Sequence, residues 1–285
     1  MSGTLYLCAT PIGNMEDITY RAVRVLSEVD LIAAEDTRTS RKLLDRYEID
    51  TSMTSYHEHN KIEKAKTLIN KLLNGADIAL ITDAGTPGIS DPGEELVEMC
   101  YENGIEVISV PGPSALITAI TSSGQSVRRF AFEAFLPKDK KYRAHILEEL
   151  SCETRTIIIY ESPHHLKATL KELAESLGSD RKLTVARELT KRHEEKIRLT
   201  LAEAIDYYQD NEPRGEYVLV IAGKSRQEQE EETHAKWEEF TVVEHLQIYL
   251  DKGMEKKDAM KAVAKDRGVG KREVYKALLE EEDND

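Results

Sequence analysis

The sequence predicts an α/β protein with two unlike α/β halves and a small C-terminal helical appendage. Short apolar segments rich in strand formers alternate with segments of helical periodicity, and this alternation pauses near residues 124–129 before it resumes. After residue 224 only helical patterns remain. Because 285 residues exceed what one compact core usually occupies, we expect four segments: α/β domains at 1–122 and 123–224, a charged linker at 225–239 and a helical appendage at 240–285.

The first half is predicted to form a parallel sheet covered by helices, as strand and helix alternation requires. Strands are expected at residues 4–10, 31–34, 78–82 and 107–110, and helices at 20–29, 38–47 and 61–73, after Asp91 and from Ser114. The residues Asp91-Pro92-Gly93-Glu94 are typical of a helix start, which makes Asp91 the expected N-cap.

The second half and the appendage follow from the same patterns. Strands are expected at residues 130–136, 156–160, 183–187, 196–200 and 217–222, with helices at 142–150, 163–177 and 201–208. The appendage should contain helices at 242–250, 256–265 and 271–279. The turn at 267–270 between the last two gives this segment the pattern of a helix-turn-helix.

The charge distribution limits how the protein could contact nucleic acid. A net charge of −14 argues against a chain that coats nucleic acid with its whole surface, since phosphate binding needs a basic footprint. Residues 252–276 nevertheless carry nine Lys or Arg against four Asp or Glu. A solvated helical surface explains this window as well as a local RNA contact does.

Composition also predicts the compartment. No apolar run approaches the roughly 20 residues that span a bilayer, and no export signal is visible. The three cysteines lie far apart and are expected to be core residues. We expect a cytoplasmic protein without a membrane partner.

Loops that follow strands are the expected place for a ligand, because an open α/β sheet binds ligands at the carboxyl ends of its strands. The loop at residues 83–93 carries three glycines and two prolines, which let backbone groups approach a ligand along a fixed path. A long turn with strained dihedrals is the alternative. Ser114, at a helix start after another strand, could contact a ligand or only cap its helix.

Seven segments occur in a specific order between residues 3 and about 224: TPIGNMEDIT, AAEDTRTSRKLL, DAGTPGISDPG, VPGPSA, YESPHHL, ARELTK and GEYVLVI. Together they resemble the ribosomal small-subunit RNA (cytidine-2′-O)-methyltransferase family of the tetrapyrrole-methylase superfamily. Relatives that methylate tetrapyrroles carry Gly-Gly-Asp where this chain has Asp83-Ala84-Gly85, which favours the RNA-modifying branch.

The resemblance implies S-adenosylmethionine in a cleft between the domains, S-adenosylhomocysteine as product, a homodimer, and a cytidine of 16S ribosomal RNA in the 30S subunit as target. The cofactor-binding residues implied by the matching motifs are Pro11, Asp83, Ala84, Gly85, Ser114, Ala115 and Glu161.

Methyl transfer to a hydroxyl needs alignment and removal of a proton. Asp36, His57 and Glu58, near predicted strand ends, are the candidate bases. Asp36 could instead only pair with Arg38, and His57 could lie in a solvated loop. Because His57 and His59 lack further nearby ligands, no metal is expected.

Basic residues give the predicted RNA contacts, which could equally be solvated charges. The predicted RNA-binding residues are Arg38, Lys42, Lys138, Lys140, Lys141, Arg143, Lys271 and Arg272.

Two other functions fit the sequence. The same scaffold could methylate a tetrapyrrole or another small molecule, which porphyrinogen methylation without 30S methylation would reveal. Alternatively, the chain could be a non-catalytic regulator that senses a ligand and binds nucleic acid, in which case it would bind the cofactor without methylating RNA.

Overall fold

The computed structural model describes residues 2–225, 227–228, 235–237 and 239–282. Residues 280–282 are described by their backbone only. The chain forms two compact units, Met1–Ala222 and Gly223–Asp285. The first unit contains both sheets and therefore both predicted α/β halves. The boundaries predicted at residues 122 and 224 stay predictions.

The first sheet has the order β3-β2-β4-β1-β5, and all its strand pairs are parallel. Its strands are β1 (Thr4–Cys8), β2 (Leu31–Ala34), β3 (Met53–Ser55), β4 (Ile78–Ile81) and β5 (Glu106–Val110). Its helices are α1 (Tyr20–Glu28), α2 (Thr37–Arg46), α3 (Lys61–Leu73), α4 (Glu94–Glu102) and α5 (Ala115–Ser123). The short edge strand β3 is absent from the predicted elements, because three residues carry too little periodicity.

The central strands of this sheet are buried on both faces, as parallel strands covered by helices are. All four residues of β4 are buried. One apolar cluster packs Leu5 and Leu80 against α3 and α4, and the other packs Ile32 and Ile81 against α1 and α2. The carboxyl ends of the strands therefore lie at one edge, where their loops can meet.

The second sheet has the order β6-β7-β10-β8-β9 and is mixed. Only β6 and β7 pair in parallel, and the other pairs are antiparallel. Its strands are β6 (Phe130–Phe135), β7 (Thr156–Glu161), β8 (Lys182–Arg187), β9 (Glu195–Thr200) and β10 (Tyr217–Ile221), and its helices are α6 (Lys140–Ser151), α7 (Leu166–Leu177) and α8 (Leu201–Asp210). Two unlike α/β sheets confirm the predicted fold class.

Helix α5 joins the two halves. Leu116, Ala119 and Ile120 of this helix pack in one apolar cluster with Ile158 and Val220 of the second sheet. The α5 end is tied to the same sheet by a buried hydrogen bond from the Thr184 hydroxyl to the Ser123 carbonyl at 2.9 Å. This packing fixes the spacing of the two halves within the first unit.

The C-terminal unit contains α9 (Val242–Asp251), α10 (Lys256–Asp266) and α11 (Lys271–Glu282). A capping box between Thr241 and Glu244 begins α9. The helices share a core that includes Leu246, Val263 and Val274. The linker predicted at 225–239 falls partly on residues outside the described ranges. No helix in the described part of the chain is long and apolar enough to cross a membrane.

Candidate active site

Loops from both halves surround a cavity of about 410 Å³. The first half contributes side chains and backbone from the loops that follow β1, β4 and β5. The lining residues of this half include Ile12, Ala84, Gly85, Asp91, Ser114 and Ala115. The second half contributes Phe135, Tyr160, Glu161, Leu189, Lys191 and Val218. We call this space the donor cavity, and its position at the carboxyl ends of the strands is the predicted one.

A second cavity of about 300 Å³ adjoins the first, because Ile12, Ala84, Lys191 and Glu216 line both. We call it the acceptor cavity. It also takes Thr10 and Pro11 from the loop after β1, Thr39, Ser40 and Leu43 from α2, and Thr82 and Asp83 from the end of β4.

The structure brings the predicted cofactor residues together around these two cavities. Ala84, Gly85, Ser114, Ala115 and Glu161 line the donor cavity. Pro11 and Asp83 line the acceptor cavity instead. Their contact with a cofactor stays a prediction.

Ser114 is free to contact a ligand. It occupies the N-cap position of α5, but its side chain makes no capping hydrogen bond. Ser114 and Ala115 line the donor cavity, whereas the Leu116 amide of the first turn donates to the Tyr160 hydroxyl at 3.1 Å.

Asp91 does not cap α4, which corrects the sequence prediction. The N-cap is Gly93, two residues later, and no side-chain capping bond is present. Asp91 instead lines the donor cavity. An aspartate in a Gly/Pro-rich loop can either cap a helix or line a ligand cavity. The sequence pattern does not separate these two roles, and the prediction chose capping.

Carboxylates around Asp91 make the floor of the site electronegative. Burial, with a smaller contribution from the charges of Glu35 and Asp83, raises the pKa of Asp91 to about 6, against a hydrogen bond with Thr82 that lowers it. Burial also raises the pKa of Asp83. Glu35 accepts a hydrogen bond of 2.6 Å from the Thr82 hydroxyl. A carboxylate with a raised pKa in a cleft is a candidate proton acceptor.

The comparisons with known proteins agree with this geometry. The family model of tetrapyrrole (corrin/porphyrin) methylases matches residues 4–205. The chain is 47% identical over 279 residues to ribosomal RNA small subunit methyltransferase I of Halalkalibacterium halodurans, covering 98% of this chain and 96% of the relative. It is 49% identical to the protein of the same name from Synechocystis sp., covering 98% of each.

The chain belongs to the ribosomal RNA small subunit methyltransferase I family of tetrapyrrole methylases. Members of this family are S-adenosylmethionine-dependent methyltransferases, which confirms the predicted family, enzyme class and cofactor. The nucleoside and the atom that is methylated stay predictions.

Solved structures resemble the chain at the level of the fold. Uroporphyrin-III C-methyltransferase from Thermus thermophilus, complexed with S-adenosylhomocysteine, superposes with a TM-score of 0.57 at 19% identity, covering 77% of this chain and 97% of that chain. Diphthine synthase superposes with a TM-score of 0.60 at 11% identity, covering 77% and 90%.

In this member of the ribosomal RNA small subunit methyltransferase I family, the Glu161 carboxylate is held by its own half. It accepts hydrogen bonds from the Ser162 amide at 2.7 Å and from the Thr169 hydroxyl. Thr169 in turn accepts from the Arg143 guanidinium at 2.8 Å, and Arg143 also pairs with Glu172 at 2.6 Å. Glu161 is buried, so this network fixes the orientation of one wall of the donor cavity.

The predicted bases are not among the residues that line the two cavities. Asp36 caps α2 and pairs with Arg38, whose hydrogen bonds lower the pKa of Asp36 to about 2. His57 and Glu58 follow the edge strand β3, and Glu58 pairs with Lys61 at 2.9 Å. Asp36 follows β2 and its amide donates to Asp83 Oδ1 at 3.1 Å, so it lies next to the acceptor cavity, whereas His57 and Glu58 follow the edge strand β3. The role of all three as bases stays a prediction.

The predicted RNA-binding residues fall into exposed and enclosed groups. Arg38, Lys42, Lys138, Lys140, Lys141, Lys271 and Arg272 are exposed. Arg143 is less accessible to RNA, because its side chain is only 17% exposed and is hydrogen-bonded to Glu172 and Thr169. We therefore remove Arg143 from the proposed RNA contacts.

No group of three or more potential metal ligands comes together among the residues that the structure describes.

Proposed function

We propose that this protein transfers a methyl group from S-adenosylmethionine to the ribose 2′-hydroxyl of a cytidine in 16S ribosomal RNA. Two observations support the proposal. The relatives that match nearly the whole chain are named for small-subunit ribosomal RNA methylation, and the ordered motifs resemble the cytidine-2′-O branch. The observation that carries it is the donor cavity enclosed by loops of both halves.

The residues of the donor cavity fit the cofactor. A volume of about 410 Å³ lies in the range of roughly 300–1,000 Å³ for small-molecule sites. The Ser114 hydroxyl, which makes no capping hydrogen bond at the start of α5, suits a carboxylate. Ile12, Leu189 and Val218 provide an apolar wall for a purine, and Asp91 complements a cationic sulfonium.

Gly85 lets the backbone line this cavity closely. It has φ +89°, a left-handed conformation that favours glycine, and an added Cβ would lie 3.4 Å from Ile12 Cγ2. The space that a side chain would occupy is therefore left to the ligand.

When bound, S-adenosylmethionine supplies an electrophilic methyl group on sulfur, which the ribose oxygen takes in an in-line displacement that leaves S-adenosylhomocysteine. The protein aligns the two partners and accepts the hydroxyl proton. We propose Asp91 as the proton acceptor because it lines the donor cavity and carries a pKa of about 6. Asp36, His57 and Glu58 are less suitable because they lie outside both cavities.

The setting of the reaction is also a proposal. We propose a homodimer in the cytoplasm that acts on ribosomal RNA within the 30S subunit. Lys138, Lys140 and Lys141, all exposed beside the start of α6, would contact the RNA backbone. Lys271 and Arg272, exposed at the start of α11, would add contacts from the C-terminal unit.

The test is tritiated methyl transfer from S-adenosylmethionine to 30S subunits that lack this modification, with mass spectrometry of the labelled nucleoside. We expect 2′-O-methylcytidine. The Asp91→Asn variant should bind the cofactor but transfer little label, whereas Asp45→Asn, which alters an exposed carboxylate on α2, should match the wild type. Label on a base or on a porphyrinogen would contradict the proposal, as would cofactor binding with no transfer to any RNA.

A further inference from the structure

The acceptor cavity is a built site next to the donor cavity. The two share Ile12, Ala84, Lys191 and Glu216, so a group in one lies beside a group in the other. Only the acceptor cavity reaches the side chains of α2, through Thr39, Ser40 and Leu43. The hydroxyl groups of Thr39 and Ser40 make this wall polar.

Ser40 is the first sign that a ligand belongs there. Its side chain is 4% exposed, and its hydroxyl has no hydrogen-bond partner among the described residues. A buried hydroxyl without a partner opposes folding, because it has lost its hydrogen bonds to water and has formed none in the protein. A polar ligand in the acceptor cavity would supply the missing partner.

Lys191 is the second sign. Its ammonium group donates to Glu188 Oε1 at 2.9 Å and to Glu216 Oε2 at 2.8 Å. A lysine ammonium has three N–H donors, so one remains for a ligand at the wall that both cavities share.

The loop that carries Lys191 is held in a costly conformation. Glu188 and Thr190 both have positive φ values, 50° and 64°, although neither is glycine. The loop packs on Gly13, where an added Cβ would lie 2.5 Å from Lys191 Cγ. Strain of this kind is typical of positions where function fixes the backbone.

We propose that the acceptor cavity holds the nucleotide that receives the methyl group, with the Ser40 hydroxyl and the Lys191 ammonium hydrogen-bonded to its ribose-phosphate oxygens. Lys191 and Glu216 line both cavities, whereas Ser40 and Asp83 line the acceptor cavity and not the donor cavity. The hydroxyl and ammonium groups can donate to ribose and phosphate oxygens, and the carboxylates can accept from ribose hydroxyls. Ser40 belongs to the first half and Lys191 to the second. The nucleotide would therefore contact both halves, as the cofactor would. This inference rests on the proposed function.

The test measures KM for the RNA, the Kd for S-adenosylmethionine and the thermal midpoint in the full chain. Ser40→Ala should raise the KM for RNA between about two- and tenfold, the value of one hydrogen bond, and leave the cofactor Kd unchanged. Its thermal midpoint should equal or exceed that of the wild type. Lys191→Met, which keeps the aliphatic stem against Gly13, should raise the KM at least about tenfold, since it removes a charged donor.

Two control variants separate these effects from loss of structure. Ser123→Ala removes a buried hydroxyl that does have a partner, the Ile120 carbonyl at 2.8 Å, and should lower the thermal midpoint. Lys167→Met breaks an exposed ion pair with Glu212 and should change neither KM nor Kd.

The outcomes are distinguishable. A wild type that transfers no methyl group to RNA overturns the proposed function. An active wild type whose Ser40→Ala and Lys191→Met variants keep the RNA KM within twofold overturns only the acceptor assignment. The same holds if both variants weaken cofactor binding as much as RNA binding, because the residues would then belong to the donor site.

Discussion

The main chains of Thr10 and Gly85 exchange two hydrogen bonds, from Thr10 N to Gly85 O at 2.8 Å and from Gly85 N to Thr10 O at 3.0 Å. This pair locks the loop after β4 against the loop after β1 just beyond the sheet edge. Both loops line the two cavities. The shape of the active site therefore depends on a residue that has no side chain.

Replacement of Gly85 by alanine should damage both stability and cofactor binding. An L-residue at φ +89° costs about 1 kcal/mol relative to glycine, and the new Cβ, 3.4 Å from Ile12 Cγ2, would occupy space in the donor cavity. We expect a Kd for S-adenosylmethionine several times higher by calorimetry. Gly178→Ala is the matched control, because Gly178 has φ +97° and open space around it. It should lose similar stability by denaturant unfolding and keep the wild-type Kd; equal Kd values in the two variants would refute the assignment.

The Asp91→Asn variant should be less active and more stable than the wild type. The folded-state pKa of Asp91, about 6, lies above the ordinary aspartate value near 4. The native state therefore favours the protonated form, and the ionised carboxylate opposes folding above that range. Asparagine removes this cost, so thermal midpoints at pH 8 should rise, while kcat should fall about 10²- to 10⁴-fold through loss of the base.

The pH dependence of the wild type follows from the same group. Methyl transfer should decline as the pH falls through about 6, because a protonated Asp91 accepts no proton. Over the interval from about 6 down to about 4, this residue should make the protein more stable. A rate that stays constant down to pH 5 would exclude Asp91 as the base.

Arg143 and its neighbours Lys140 and Lys141 should behave differently although they share one helix. Arg143→Ala should lower the free energy of unfolding by about 1–3 kcal/mol, since it removes the cation that pairs with Glu172 and the donor to the Thr169 hydroxyl. Charge reversal of Lys140 and Lys141 should leave stability nearly unchanged and weaken RNA binding at low salt, with a shallower dependence of affinity on salt. Filter binding at two salt concentrations measures this. Unchanged binding of the double variant would remove the two lysines from the RNA surface.

The C-terminal unit should lose stability on mild acidification. His245 is fully buried, stacks on Trp237 with ring centroids 3.5 Å apart, and accepts a hydrogen bond from Arg267 Nε at 3.2 Å. Burial and the Arg267 charge lower the pKa of His245, against the Asp266 carboxylate that raises it. The unfolded chain therefore takes up a proton near pH 6.5 that the folded unit resists, and stability is lost as the pH falls below this value.

Trp237 is the single tryptophan of the chain and reports on this unit alone. Its emission should shift to longer wavelength below about pH 6.5, before far-UV circular dichroism shows loss of the sheets. His245→Gln should move this transition to lower pH. An emission maximum that is constant down to pH 5 would contradict the role of His245.

Sequence patterns were sufficient for most elements of the fold because apolar periodicity reports burial directly. The buried strands β1, β4 and β10 and the amphipathic helices α3 and α7 were predicted close to their observed bounds. Edge strand β3 was missed, since three half-buried residues give no periodic signal. The Gly/Pro-rich loop at 83–93 was predicted from its residue types to bind a ligand, and Ala84, Gly85 and Asp91 of this loop line the donor cavity.

What the sequence determined by itself was the family, the α/β class and the loops that line the donor cavity, because strand periodicity and ordered motifs are local properties of the chain. Tertiary structure alone decided which polar side chains face the cavities. It placed Asp91 in the donor cavity and not at a helix cap, buried most of the Arg143 side chain, and placed His57 after an edge strand. It also placed Ser40 and Lys191, which are 151 positions apart in the sequence, in the lining of one cavity. Such pairings depend on how α5 packs the two sheets together, and no local pattern encodes that packing.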